Sequence, residues 1–454
     1  MSSTTQALVG RLKQSAIDAW MRGEGWRLVG GHYEISSRGP DFRVTRPDET
    51  GAGGGDWSSD WLGSFFGLVD RDAEFQGYFE TIRQTIDGIV APWLDLPDPD
   101  DLAPVVEDCR QVTRRLSGAA STQDGVAHGA GEIGASLRLI EQNASAMSGE
   151  LIASFKAKFL VQLGQAVGGF HAISLVRGSA IAAQEGLWRS ARESVDTILE
   201  QSRAAFDAVA AGDAITWEEV VQVVGWAAKG AKIFVTGGAA AAFEVTGLAL
   251  DVVKATAPPT PTTEPQSPGS YDAAITQLRS AFDALDEQIR GEERLIEENL
   301  RTNLTNIRND RSSYDLTQPP LHDGDGVLLI QRALVDEIHR VHMPAVADEL
   351  DEVGDLALTS GIGRFVARDA SIGIGVTGPA TTVGEMNLLL RDLIKELAWE
   401  VRSGARNLEL AIADLESRDA QIAEELAKIA ERITQGSPYS PWGGTTTPSF
   451  GPNG

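Results

Sequence analysis

The sequence predicts a mainly α-helical protein of long hairpins and bundles, with coiled-coil-like C-terminal helices and at most a small β element near the N-terminus. Apolar residues recur at three- and four-residue steps along much of the chain, which is the spacing of one helical face. A seven-residue apolar repeat runs through the C-terminal quarter, and such a repeat is typical of a supercoiled helix. Hydrophobic residues make up 42% of the 454 positions, whereas aromatic residues make up 6%. This composition is typical of helical proteins rich in alanine and leucine.

The strongest local pattern is a helical hairpin between Leu137 and Val209. Two amphipathic segments flank a short break at residues 146–150, and we expect them to fold back on one another there. Gly149 lies in the break, where a tight reversal favours a residue that tolerates a positive φ. Gly168, Gly169 and Gly178 are expected to soften or break the second helix, because glycine costs about 1 kcal/mol in a helix interior.

The break itself carries a recognisable motif. Residues 147–155 read Met-Ser-Gly-Glu-Leu-Ile-Ala-Ser-Phe, and this segment resembles the turn of the Trp-x-Gly helical-hairpin proteins exported by type VII (ESX) secretion systems. Met147 stands where that family has tryptophan, followed by Ser148 and Gly149. The family's export signal, a tyrosine followed four residues later by Asp or Glu, has no counterpart here. The resemblance implies a bacterial helical-hairpin protein that acts through helix pairing.

Changes in composition divide the chain into five parts. An acidic, proline-rich stretch at 92–104 and a second proline-rich stretch near 260 are typical of linkers. The predicted parts are an aromatic-rich N-terminal module (1–92), the hairpin with an apolar Gly/Ala-rich segment (105–255), a linker (256–269), a long-helix bundle (270–436) and a disordered tail (437–454).

The segment from Val220 to Val253 is the most apolar part of the chain. Its length approaches the roughly 20 residues that cross a bilayer, but glycines interrupt it and Glu244 lies within it. Three interpretations stay open: a buried pair of core helices, a membrane-inserting hairpin released by a trigger, and a permanent span. Its candidate membrane residues are Ile233, Phe234, Val235, Phe243, Leu248 and Leu250.

Two long helices are predicted in the C-terminal half. The first covers Tyr271 to Arg311, and the second is opened by a capping box at Thr382 and Glu385. A strict heptad seam follows in the second helix, formed by Ile394, Val401, Leu408, Leu415, Ile422 and Ile429. Its partner is either the first helix or another copy of the chain. Gly361 to Gly378, between them, is expected to be a mobile apolar loop.

Shorter patterns complete the prediction. Trp26–Ile35 and Phe42–Thr45 are the best strand candidates and are expected to form a hairpin. His339 and His342 share a helical face, but the spacing of a zinc-protease site is missing, so we expect a structural role for them. No phosphate-binding loop, metal-ligand set or nucleophilic motif is present, and Cys109 cannot form an internal disulfide.

Charge and motifs together indicate the class of function. A net charge of −26 disfavours unaided binding to nucleic acid or to anionic membranes. The sequence therefore predicts a non-enzymatic interaction protein, without cofactor or small-molecule substrate, that binds protein partners or itself. A membrane-inserting or pore-forming protein that uses residues 220–253 is the alternative, and a toxin or hydrolase on a helical carrier is a third. Residues 1–23 lack a signal-peptide pattern, so we expect a cytoplasmic protein or signal-independent export.

Overall fold

A computed structural model describes residues 3–35, 42–59, 71–117, 132–212, 269–310, 314, 316, 331–359 and 361–434. Helices dominate these residues, and the strands form one small sheet near the N-terminus. The mainly α class is therefore confirmed. The apolar segment at 220–253, most of the linker predicted at 256–269 and the tail at 437–454 lie outside the described residues.

The N-terminal part combines two helices with an antiparallel sheet. Its elements are α1 (Ser3–Gly23), β1 (Arg27–Val29), β2 (His32–Ile35), β3 (Phe42–Thr45), β4 (Trp57–Ser59) and α2 (Asp72–Val90). The strand predicted over Trp26–Ile35 is divided in two, because Gly30 adopts a φ of 62° and turns the chain. The β2–β3 hairpin forms as predicted, with Tyr33 opposite Val44. Both side chains are buried.

The linker predicted at 92–104 is instead mostly ordered helix. A 3₁₀ turn covers Ala91–Asp95, and α3 (Pro99–Leu116) follows. Pro99 lies in the first turn of α3, where a missing N–H leaves no intrahelical bond unmade. Trp93 is buried and stacks on Phe282, with ring centroids 5.0 Å apart. This packing fixes the stretch against a distant part of the chain. The linker predicted from proline and charge content was therefore wrong.

The predicted hairpin has a turn at the expected place, but unequal arms. Its elements are α4 (Glu132–Ser145), α5 (Glu150–Ser154), a π-helical turn (Phe155–Leu160) and α6 (Val161–Ala211). Gly168, Gly169 and Gly178 do not interrupt α6, contrary to the prediction. The reason at Gly169 is close packing: a Cβ there would lie 2.7 Å from the Tyr314 ring.

Helix α6 is the centre of the fold. Every residue from Ala172 to Gln184 is buried, as expected for a helix that is enclosed on all sides. It packs against α1, α3 and two C-terminal helices. Arm α4 instead packs mainly against helix α9 (Met343–Thr359). The two arms of the hairpin therefore do not pack mainly on each other, and each arm packs against other helices.

The C-terminal part is a bundle of long helices. Its other elements are α7 (Tyr271–Asn309), α8 (Arg332–Glu337), a π-helical turn (Ile338–His342) and α10 (Ala380–Thr434). The π-helical turn lies just before Pro344, whose missing N–H leaves a gap in the regular bonding pattern. The predicted capping box does not start α10, because the helix begins two residues earlier. The Thr382 side chain is buried and contacts Glu297 at 3.4 Å.

One ion-pair group ties α3 to the C-terminal bundle. Arg115 donates two hydrogen bonds to Glu349 on α9, at 2.6 and 2.7 Å, and one to Glu352 at 2.6 Å. The Glu349 carboxylate is almost fully buried. These charge-assisted contacts raise the pKa of Arg115 and join two segments more than 200 positions apart in sequence.

Candidate interaction surface

The heptad seam of α10 is divided into a buried part and an exposed part. Its N-terminal members are fully covered by the bundle: Ile394, Val401 and Leu408. Leu415 is partly buried at the edge of the core. Ile422 is 55% exposed, and Leu426, on the same side of the helix, is 59% exposed. The side chain of Ile429 lies outside the described residues.

Charged pairs mark where the buried part ends. The segment from α8 to α9 runs antiparallel along α10 and pairs with it through Lys395–Asp355, Arg402–Asp348, Arg340–Glu409 and Arg332–Glu416. The Arg332–Glu416 contact, at 3.1 Å, is the last of them. Beyond Glu416, every described side chain of α10 is exposed.

The exposed part of α10 is stabilised along its own length. Arg418 pairs with Asp414 at 3.1 Å, and Lys428 pairs with Glu424 at 2.5 Å. Pairs with this four-residue spacing contribute about 0.3–0.5 kcal/mol each. We call the apolar stripe of Leu415, Ile422 and Leu426 the free seam. Leu415 is partly buried, while Ile422 and Leu426 are exposed, and exposed apolar side chains at this spacing present a surface suited to another helix.

The hairpin turn is partly exposed, but Met147 and the segment that follows the turn are packed into the bundle. Gly149 adopts a φ of 126°, and Met147 is buried beside it. Lys156, after the turn, donates a 3.0 Å hydrogen bond to Ser145, before it. Further along, Phe159 stacks on Phe155 and fills the space beside Gly404 of α10. The turn motif thus takes part in the interior of this fold.

A buried ion pair lies beside the N-terminal end of α10. Glu293 on α7 and Arg368, in the loop that joins α9 to α10, have no exposed side-chain surface and meet at 2.5 Å. The Arg368 guanidinium lies 4.6 Å from the Trp188 ring centroid and donates to the carbonyls of Val366 and Ile372. Sequence reasoning missed this pair, although a glutamate between Ile289 and Ile296 on an apolar face was a usable signal.

This ion pair also orders the glycine-rich loop, which the sequence indicated as mobile. The N–H of Gly373 donates to Asp286 at 2.6 Å, and the N–H of Ile374 donates to Glu293 at 3.0 Å. A Cβ at Gly373 would lie 2.2 Å from the Glu293 carboxylate. Glycine is therefore needed for close approach, and the loop is tightly bound to α7.

Burial dominates the electrostatics of the pair. It raises the pKa of Glu293 to about 7, because desolvation disfavours the carboxylate more than Arg368 and the Ile374 N–H favour it. The same burial lowers the pKa of Arg368. With both groups sealed from solvent, the site has the properties of a structural clamp.

The two histidines are placed in the π-helical turn. His339 is buried and contacts Asp336 at 3.0 Å, while His342 lies at the end of the same turn. Within the described ranges, no group of three or more His, Cys, Asp or Glu residues is arranged to hold a metal ion.

The candidate membrane residues Ile233, Phe234, Val235, Phe243, Leu248 and Leu250 lie outside the described residues. Among the described helices, the stretch Leu151–Ala211 is long and apolar enough to cross a membrane, and 56% of its most apolar window is buried inside the protein. Arg177, in the middle of this stretch, is fully buried. A charged residue at that position would be costly in lipid. These features therefore fit the core helix of a folded protein at least as well as they fit a membrane span.

Comparison of the chain with protein-family models, with curated proteins and with solved structures finds no match in any of the three.

Proposed function

We propose that this chain is a non-enzymatic assembly protein that binds a partner helix along the free seam of α10. The observation that carries the proposal is the exposure of Ile422 and Leu426, at 55% and 59%, on a helix whose earlier seam residues are fully buried. Exposed large apolar side chains that continue a packed seam favour a binding surface over an inert one.

The resemblance to type VII secretion hairpin proteins belongs to this proposal. Its support is local, namely the turn at Gly149 between two helices and the prevalence of long helices, because the two arms pack on other helices rather than on each other. The resemblance implies action through helix pairing. Export is the further step that the resemblance suggests. Fractionation of the producing cells tests that step separately: protein in the medium beyond a lysis control supports export, and its absence from the medium removes it.

The assembly function is tested by the size of native complexes in extracts of the producing cells. Wild-type protein is expected to migrate above the 48.4 kDa of one chain. The double variant Ile422→Ser/Leu426→Ser is expected to lose the larger species. Leu410→Ser is the matched control, because Leu410 is 67% exposed on the same helix but lies off the seam. Equal behaviour of the two variants would refute the proposal.

Membrane insertion is a second candidate, favoured by the length and apolar character of Leu151–Ala211. Dye leakage from liposomes of neutral and anionic lipid, at neutral and acid pH, tests it. A Phe234→Asp variant separates two sources: leakage that persists indicates the helix Leu151–Ala211, and leakage that is lost indicates the segment at 220–253. No leakage by the wild type under any of these conditions refutes insertion.

A further inference from the structure

We infer that the partner of the free seam is a basic amphipathic helix of another protein, with a lysine or arginine among the residues that cover the stripe. This inference rests on the proposed function and adds the chemical class of the partner. It starts from the part of α10 that the bundle covers, because the side chains that meet α10 there show which charges this helix pairs with.

The ion pairs along the covered part of α10 change sign towards the free seam. Lys395 and Arg402 of α10 are cations that meet aspartates of α9. One and two heptads further on, the same edge of α10 carries Glu409 and Glu416, and arginines of the neighbouring segment meet both of them. The stretch of α10 next to the free seam therefore pairs with basic side chains.

Acidic residues are in excess along the C-terminal end of α10. Residues 413–434 include six acidic and three basic residues. Arg418 and Lys428 already pair with acidic residues of the same helix. Glu425, at the edge of the stripe, is exposed and has no ion-pair partner among the described residues. Negative charge beside the stripe is therefore available to a partner.

The stripe itself includes one acidic position. Asp419 lies between Leu415 and Ile422 in the alternating three- and four-residue pattern that continues to Leu426. A helix that covered the stripe would enclose this position, and an enclosed carboxylate is stable only when a basic group meets it. A lysine or arginine at the facing core position of the partner meets this requirement, as polar core residues do in specific coiled coils.

The size of the free seam predicts a weak, salt-dependent complex. Three described apolar residues make a small contact, and interfaces below about 1,200 Å² are typical of transient complexes. The charge of −26 on the chain attracts a basic helix, and at about 0.15 M salt this attraction is screened beyond about 8 Å. The same charge disfavours an anionic membrane as the occupant of the stripe.

Binding of two synthetic peptides to the purified full chain tests the inference. Both peptides are amphipathic helices of about three heptads with leucine at the core positions. The basic peptide has arginine at one central core position and lysine at the flanking positions, and the acidic peptide has glutamate at all of these. Fluorescence anisotropy is expected to show at least about tenfold tighter binding of the basic peptide, and the difference should shrink as the salt concentration rises.

Charge variants separate local pairing from the overall charge of the chain. Asp419→Lys should weaken binding of the basic peptide at least about tenfold and strengthen binding of the acidic one. Glu425→Lys should weaken the basic peptide about fivefold, the scale of an exposed pair that becomes repulsive. Glu424→Lys is the matched control, because Glu424 is exposed on the opposite face of the same helix, and it should change either affinity by less than about twofold. The double variant Ile422→Ser/Leu426→Ser should bind neither peptide.

Each contrary result has a distinct meaning. Equal binding of the two peptides, no binding of the basic peptide, or an Asp419→Lys variant that behaves like Glu424→Lys overturns the basic partner. If the large species in cell extracts still depends on Ile422 and Leu426, the proposed assembly function survives with a partner of another kind. A wild type that then dimerises by itself in sedimentation equilibrium identifies that partner as a second copy. If the dependence on Ile422 and Leu426 is also missing, both proposals are refuted.

Discussion

Replacing Arg368 by methionine should release the loop that joins α9 to α10. The substitution leaves the Glu293 carboxylate buried without its guanidinium partner, and only the Ile374 N–H then remains to stabilise it. Loss of one member of a buried pair costs about 3–5 kcal/mol. At about 1.36 kcal/mol per factor of ten, opening of the loop becomes roughly 200- to 5,000-fold more frequent.

Hydrogen exchange of the peptide containing Gly373 and Ile374 measures this opening directly, above the pKa of Glu293. The neighbouring variant Arg364→Met is the matched control, because Arg364 is exposed in the same loop. Its exchange should change by less than about threefold, the scale of an exposed charge.

A second substitution separates the charge from the packing. Adding Glu293→Gln to Arg368→Met keeps an oxygen for the Ile374 N–H but removes the stranded negative charge, so most of the protection should return. The reasoning is refuted if Arg368→Met changes exchange by less than about tenfold, or if Glu293→Gln gives no recovery.

Three further predictions concern other parts of the fold. The pKa of Glu293 is raised from 4.5 to about 7, so its contribution to loop stability should be full below pH 4.5 and be lost as the pH rises through 7; a Glu293→Gln single variant should abolish this dependence of exchange. Arg115→Met should lower the free energy of unfolding by about 1–3 kcal/mol, because it leaves the buried Glu349 carboxylate on α9 without its partner. The exposed neighbour Arg114 should tolerate methionine within about 1 kcal/mol. Thermal denaturation compares the two variants, and equal losses of stability would contradict this prediction. Gly168→Ala should stabilise α6 by about 0.5–1 kcal/mol. Gly169→Ala should destabilise the protein by about 1–3 kcal/mol, because the added methyl group would collide with the Tyr314 ring. A gain in melting temperature for both variants would show that the Tyr314 contact is unimportant.

Periodicity was sufficient to predict much of the helical structure. The spacing that put Leu278, Phe282 and Leu285 on one face corresponds to the buried face of α7, and the break at Gly149 lies between α4 and α5. These features depend on local pattern, which one sequence contains. The pairing of the helices does not depend on local pattern, because side chains far apart in sequence decide it, as in the Ser174–Thr113 contact across 61 residues. The packing of α4 against α9, and of α6 against α1 and α3, was therefore not predictable.

Glycine and proline were the least reliable guides. Gly169 is accepted in α6 because the Tyr314 ring occupies the space that a side chain would need, whereas Gly168 has no such neighbour. The glycine-rich loop before α10 was expected to be mobile because its sequence offers few anchors. Its anchors, Asp286 and Glu293, come from α7, and nothing in the loop's own sequence shows that they are near.

The same limit applies to the candidate interaction surface. The heptad repeat from Ile394 to Ile429 is visible in the sequence, but the position at which the bundle ceases to cover it is not. Among the described residues, that position coincides with the start of α8 at Arg332, which pairs with Glu416. The boundary between a core seam and a surface seam is thus a tertiary property, although both parts have the same pattern.

The continuity of α10 has a mechanical consequence. Its 55 residues form one uninterrupted helix, about 80 Å long at 1.5 Å per residue. Its N-terminal end is held by the bundle and by the buried Glu293–Arg368 pair in the preceding loop. Its last 20 or so residues extend about 30 Å beyond Glu416, where the described cross-helix ion pairs end. A partner bound at the far end would be held at a set distance and angle from the bundle, and a force on that end would be transmitted to the buried ion pair.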